Sequence, residues 1–277
     1  MTNSTKNLIK RLITGTCLIV AATLILYFSS NDTFIRLIAA IFACFATYEF
    51  FNVTDTMEHE VWFVVTLLLS VVLPFVNIPY YTVVLLVAFL LAVIVAVCMM
   101  AYKEKFRLTK PFPAAMLSIV VALFFATLPK IRALENGLYY LICPLLICIT
   151  TDTAAYFIGK KWGKTKMLPS VSPNKTWEGA LAGLAISFVI SIAFCLILQF
   201  GFGVFIKWKI FLTYALFTSV VGQFGDLTAS VVKRIANVKD YGVILPGHGG
   251  VLDRLDSIVF AFAFTYLFCT LGGMFLV

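Results

Sequence analysis

The stretch "YYTVVLLVAFLLAVIVAVCMMAY", residues 80–102, runs for 23 positions without a charged side chain. A helix rises 1.5 Å per residue, so about 20 apolar residues cross the ~30 Å hydrocarbon core of a bilayer. Similar runs recur along the chain. Nine spans are predicted, at 11–29, 33–52, 60–76, 80–102, 112–129, 138–158, 179–202, 208–229 and 255–276. Composition agrees, with 62% hydrophobic and only 12% charged residues, against about 25% charged in soluble domains. No ordinary soluble fold hides this much apolar surface, whereas lipid can act as its solvent.

The fold expected is therefore all-α, a polytopic transmembrane bundle of about nine spans. No Pro/Gly/Ser-rich linker divides it, so residues 1–277 are read as one integral-membrane domain. Within it, 1–129 holds the N-terminal spans, and 138–277 holds the spans and loops that carry chemistry. The first run follows Lys6, Lys10 and Arg11 as a signal peptide would, but its core is long and no small-x-small cleavage site follows.

Basic residues give the orientation. With the N-terminus cytoplasmic, the segments 1–10, 53–59, 103–111, 159–178 and 230–254, with Arg11 at the membrane edge, hold 16 of the 21 Lys and Arg. Arg36, Lys130, Arg132, Lys207 and Lys209 fall on the far side. That is a strong positive-inside bias. The net charge of +8 therefore reports topology, not nucleic-acid binding, since no basic run interleaves with aromatics. The seven cysteines sit in apolar runs without CxxC spacing and read as small buried hydrophobes.

Charges inside spans are costly and default to functional candidates. Under this topology Glu49, Asp152 and Asp226 occupy the last turns of three spans that descend to the cytoplasm. Asp253 and Asp256 begin the ninth, so five acids from four spans fall at one depth. Asp253 and Asp256, at i and i+3, share a helix face. Capping of the helix start explains one aspartate as well as metal binding does. For the pair with Asp226, a divalent ion on hard oxygen ligands, Mg²⁺ or Mn²⁺, is the better reading.

Two polar loops flank these acids. "PGHGG", residues 246–250, offers backbone N–H groups ahead of a helix N-terminus, an anion-binding arrangement, and places His248, Gly249 and Gly250 beside the aspartates. Arg254 is read as a partner of Asp240 or of a phosphate. "SPNKTWEG", residues 172–179, sets Ser172, Asn174, Lys175 and Thr176 ahead of another helix, a composition that suits phosphate and ribose. The lysines 160, 161, 164 and 166 read first as anchors to anionic lipid. No GxxxxGK[ST] P-loop is present. Clustered acids, phosphate-binding cations and a lipid–water boundary are the equipment for phosphoryl or nucleotidyl transfer to a lipid headgroup.

The segment "SVVKRIANVKDYGVILPGHGGVLDRLD", residues 230–256, resembles the signature of phosphatidate cytidylyltransferases, the CDP-diacylglycerol synthases. Ser230, Lys233, Arg234, Lys239, Asp240, Pro246, His248, Gly249, Gly250, Asp253, Arg254 and Asp256 meet its fixed positions. "TDTAAYFIGKKWGKTK" and "SPNKTWEG" resemble the family's upstream motifs. The resemblance by motif covers about residues 150–256.

It implies transfer of CMP from CTP to phosphatidic acid, giving CDP-diacylglycerol and pyrophosphate for phospholipid biosynthesis. It implies Mg²⁺, with K⁺ as a candidate second cation, on Asp226, Asp253 and Asp256. Lys175, Lys233, Arg234 and Arg254 are assigned to phosphates. Asp152, Asn174 and His248 are placed in the site, with Ser172, Thr176, Lys239, Asp240, Gly249 and Gly250 as further substrate contacts. The partners expected are CTP, phosphatidic acid and the bilayer, without nucleic acid, and a homodimer is compatible with the resemblance. The location expected is a bacterial plasma (inner) membrane with the site on its cytoplasmic face.

Two other classes stay open at this point. A CTP-dependent lipid-alcohol kinase needs similar metal and nucleotide contacts. A cation-coupled transporter also buries acids, though usually near the membrane midplane at broken helices.

Overall fold

The computed structural model describes residues 3–102, 108, 111–247 and 249–276. Ten helices dominate it: α1 (Asn3–Phe28), α2 (Asp32–Val53), α3 (Glu60–Val72), α4 (Tyr81–Ala101), α5 (Pro111–Phe125), α6 (Thr127–Arg132), α7 (Gly137–Trp162), α8 (Trp177–Phe202), α9 (Trp208–Ile235) and α10 (Leu252–Leu271). Between α7 and α8 lies an antiparallel hairpin of β1 (Lys166–Leu168) and β2 (Ser172–Thr176), pairing Lys166 with Thr176 and Leu168 with Ser172.

Among the described residues, seven helical segments are long and apolar enough to cross a bilayer, with α5 and α6 together forming one of them. Their outward faces are apolar too, as at Leu91, Ile94 and Val97 of α4 and Val189 and Ile197 of α8. Such surfaces suit contact with lipid. The chain is thus a helical membrane protein. The first and third predicted spans correspond to shorter apolar helices, Ile13–Phe28 and Glu60–Val72. The third was expected to reach residue 76, but α3 closes at Val72, giving 13 residues and a length of about 20 Å.

The chain divides into two compact units. The first comprises Met1–Pro79, Leu91–Pro129 and Val232–Leu255, and the second Tyr80–Leu90, Lys130–Val231 and Asp256–Val277.

In the first unit α2 packs against α3 and α5. Its buried stripe includes the small residues Ala39, Ala43 and Ala46, which let helix backbones approach. Ala114, Ala115 and Phe51 form a cluster closed by Met57 and Phe63. Thr47 and Ser70 share a buried hydroxyl hydrogen bond of 2.7 Å, so α2 and α3 are also joined by polar groups. The start of α2 is set locally, since the Asn31 side chain accepts from Phe34 N.

In the second unit α7 and α8 form the principal helix pair. A Cβ at Gly183 would meet Thr151 O at 2.7 Å, so only glycine permits this approach. Thr151, Ser187 and Ser219 link α7, α8 and α9 through hydroxyl contacts of 2.8 and 3.3 Å. At the other end of the unit, Tyr214, Phe275 and Tyr140 pack ring to ring. Lys207 N donates to Phe275 O there.

Candidate active site

Within the first unit, the KR…KD segment and the Gly-rich turn fold back onto the start of α10. Asp253 is the centre of that turn. Its carboxylate accepts from Lys233 Nζ at 2.7 Å, Tyr241 N at 2.8 Å and Gly250 N at 2.9 Å. Lys233 also lies 5.2 Å from the centre of the Tyr241 ring, a cation–π contact. Arg234 Nη1 donates to Val238 O and so ties off the end of α9. Gly249 takes a φ of +84°, and a Cβ there would lie 2.9 Å from Asp253 Oδ2. Glycine is therefore needed for both its backbone angle and its size. Leu245 N and Gly249 O close the turn at 2.9 Å. His248 lies outside the described residues.

A fourth polar residue enters this unit from α2. Glu49 is fully buried and accepts from Val251 N and Leu252 N at 2.7 Å each. A cleft of about 470 Å³ lies alongside, lined by Tyr48 and Asn52 of α2 and by residues 238–244, including Lys239 and Asp240. Arg254, next after Asp253, is exposed.

The second unit holds a separate group. Lys175 of β2 makes an ion pair with Asp226 of α9. Asp152 of α7 feels the charges of both, and its Oδ2 accepts from Ser257 Oγ at 3.1 Å. Asp256 is buried and accepts from Ser257 N at 2.8 Å. Gly225 explains how α9 comes this close to α10, since a Cβ on it would stand 2.8 Å from Asp256 O. The residue after that contact is Asp226.

The hairpin gives Lys175 its place. Ser172 and Asn174 lie on the same short strand. Thr176 stands at the start of the next helix. Its hydroxyl is the N-cap of α8, accepting from Gly179 N at 3.2 Å, and the residue is buried. Glu178 supports the same end by accepting from Thr165 N. The strands escaped a reading based on periodicity because they are 3 and 5 residues long, and the second contains Pro173.

Of the five acids singled out in the sequence, Glu49 and Asp253 lie in the first unit, and Asp152, Asp226 and Asp256 in the second. Among the described residues no three of His, Cys, Asp and Glu are grouped closely enough to hold a metal ion. Lysine ammonium groups lie against Asp226 and Asp253 instead. Tyr241 and Ser257 were not picked out from sequence. Neither carries a motif signal apart from lying inside or beside the 230–256 segment.

Comparison with known proteins adds a family. A family model described as the cytidylyltransferase family matches residues 9–272. The phosphatidate cytidylyltransferase of Bacillus subtilis (strain 168) is 43% identical over 155 residues, 56% of each chain. That of Staphylococcus aureus (strain COL) is 46% identical over 126 residues, 46% of this chain and 47% of the relative. The enzyme of the same name from Staphylococcus haemolyticus (strain JCSC1435) is 43% identical over 126 residues. The chain matches these relatives over about half of their length.

Proposed function

Because the chain belongs to the cytidylyltransferase family, we propose that it transfers CMP from CTP to phosphatidic acid. The products are CDP-diacylglycerol and pyrophosphate. The observation that carries this reading is the family match over residues 9–272, joined to relatives that share the name phosphatidate cytidylyltransferase. The paired lysines and aspartates support it, because a nucleotide triphosphate needs cations on its phosphates.

In this reaction a phosphate oxygen of the lipid attacks the α-phosphorus of CTP. One P–O bond forms as the bond to the β-phosphate breaks, and pyrophosphate leaves. A direct displacement needs no covalent enzyme intermediate. Lys175 and Lys233 rest on Asp226 and Asp253. On nucleotide binding they exchange these carboxylates for phosphate oxygens, and Arg234 and Arg254 are assigned to phosphates as well. Lys239, Asp240, Ser172, Asn174, Gly249 and Gly250 complete the substrate contacts, with Asp152 and His248 in the site.

The donor chemistry suits a hard cation. Asp226, Asp253 and Asp256 offer carboxylate oxygens, and lysines already lie on two of them. Mg²⁺, with K⁺ as second cation, is the ion we assign to them, and it would supply charge neutralisation at the phosphates. We retain the nine spans read from the apolar runs and the cytoplasmic N-terminus read from the Lys and Arg distribution. On this reading the site faces the cytoplasm, the membrane is a bacterial inner membrane, the chain is one catalytic domain, and a homodimer is the candidate assembly.

The test is transfer of label from α-phosphate-labelled CTP to lipid, by purified protein with phosphatidic acid and Mg²⁺ in detergent. Labelled CDP-diacylglycerol is expected. Label reaching lipid alcohols only from the γ-phosphate would replace this reading with the kinase.

A further inference from the structure

We infer that Glu49 of α2 is a positioning residue for the Gly-rich turn and the head of α10. A helix leaves its first N–H groups without partners, and a side chain just before the helix commonly caps them. Val251, which precedes α10, has no polar side chain to do so. The acceptor comes instead from 202 and 203 positions away, as Glu49 takes Val251 N on Oε1 and Leu252 N on Oε2.

The fit around the carboxyl group is close. A Cβ on Gly250 would lie 2.5 Å from Glu49 Oε1, and one on Gly242 would lie 3.2 Å from it. The neighbouring Phe50 meets the Tyr241 ring edge-on, with centroids 5.4 Å apart. Thus α2 grips both ends of the segment 241–252. Asp253 follows directly, and its bonds to Lys233, Tyr241 N and Gly250 N require that segment in register. Glu49 therefore sets where Asp253 and Lys233 stand without itself touching substrate. It also explains why an acid is buried near the end of α2, where solvation costs would otherwise exclude it.

The catalytic consequence rests on the cytidylyltransferase reading, whereas the grip on the turn does not. Glu49→Gln tests both, because it keeps the shape but sets an amide donor against a backbone donor. Gly250→Ala disturbs the same contact from the other side. In the purified full chain, each variant should lower kcat by about 100-fold, and Glu49→Gln should leave the KM for CTP within about threefold of wild type. Glu49→Asp, which keeps both acceptor oxygens, should recover at least about tenfold of that loss.

Backbone hydrogen exchange provides a second readout, with faster exchange expected at residues 249–253 and unchanged rates in α7 and α8. Wild-type kcat and wild-type exchange in Glu49→Gln would overturn the inference. So would exchange rising everywhere with activity falling only as the folded fraction falls, since Glu49 would then be mere scaffold. If the wild-type chain makes no labelled lipid, the proposed reaction fails, and the exchange comparison alone decides whether Glu49 holds the turn.

Discussion

Lys233 Nζ lies 2.7 Å from Asp253 Oδ1, and the two side chains are only 12% and 4% exposed. Removing one partner leaves the other charge buried. Lys233→Met should therefore destabilise the protein by about 3 kcal/mol, the lower end for a broken buried pair. Two backbone N–H groups still serve Asp253 in that variant. Asp253→Asn should cost a similar amount, and the double variant should recover at least half of it. A double-mutant cycle on detergent-phase unfolding measures the coupling. Additive losses would show that the pair does not hold the turn.

The second ion pair predicts a different signature, because Lys175 and Asp226 are more open, with side chains 29% and 26% exposed. Their contribution to stability is accordingly small, about 1 kcal/mol or less. If Lys175 transfers to a phosphate, Lys175→Met should raise the KM for CTP by about tenfold, an energy of ~1.4 kcal/mol. The unfolding midpoint should barely move. Steady-state kinetics at saturating phosphatidic acid separate the two effects. A normal KM would remove Lys175 from the nucleotide contacts.

Thr176 sits one residue along from Lys175, yet its hydroxyl is committed to the start of α8. Thr176→Ala should cost about 1 kcal/mol through loss of the cap, whereas Thr176→Ser should stay near wild type in both stability and KM. A substrate role makes another forecast, in which Ala raises the KM without changing the unfolding midpoint. Thermal unfolding alongside CTP kinetics decides between them.

These five residues show which features were legible from sequence. Apolar runs gave the helices, because in lipid each backbone polar group must be satisfied within its own segment. Residue spacing set Asp253 and Asp256 at the head of the last helix, and α10 begins at Leu252. What spacing could not supply was the partner of each charge. The contacts of Asp253 with Tyr241 N and Gly250 N, and of Glu49 with Val251 N and Leu252 N, use backbone donors, and a backbone donor has no residue type to recognise. The hairpin was missed because strands this short, one of them holding Pro173, carry no alternating pattern. Nor could spacing show that the Thr176 hydroxyl accepts from Gly179 N, because a capping threonine and a phosphate-binding threonine look alike ahead of a helix.

Asp256 gives the sharpest test of the cation. The residue is buried, and its Oδ1 accepts from Ser257 N at 2.8 Å. Asparagine keeps that acceptor and the side-chain volume but removes the charge. Asp256→Asn should therefore unfold within about 1 kcal/mol of wild type, since the hydrogen bond survives. A cation held by carboxylates loses a charged ligand in the variant, so the Mg²⁺ concentration giving half-maximal activity should rise. Activity at any one Mg²⁺ concentration should fall by about 100-fold or more. EDTA should abolish labelled CDP-diacylglycerol in the wild type, and added Mg²⁺ should restore it. A variant as active as wild type over the same Mg²⁺ titration would take Asp256 out of the metal set and leave Asp226 and Asp253 to be tested alone.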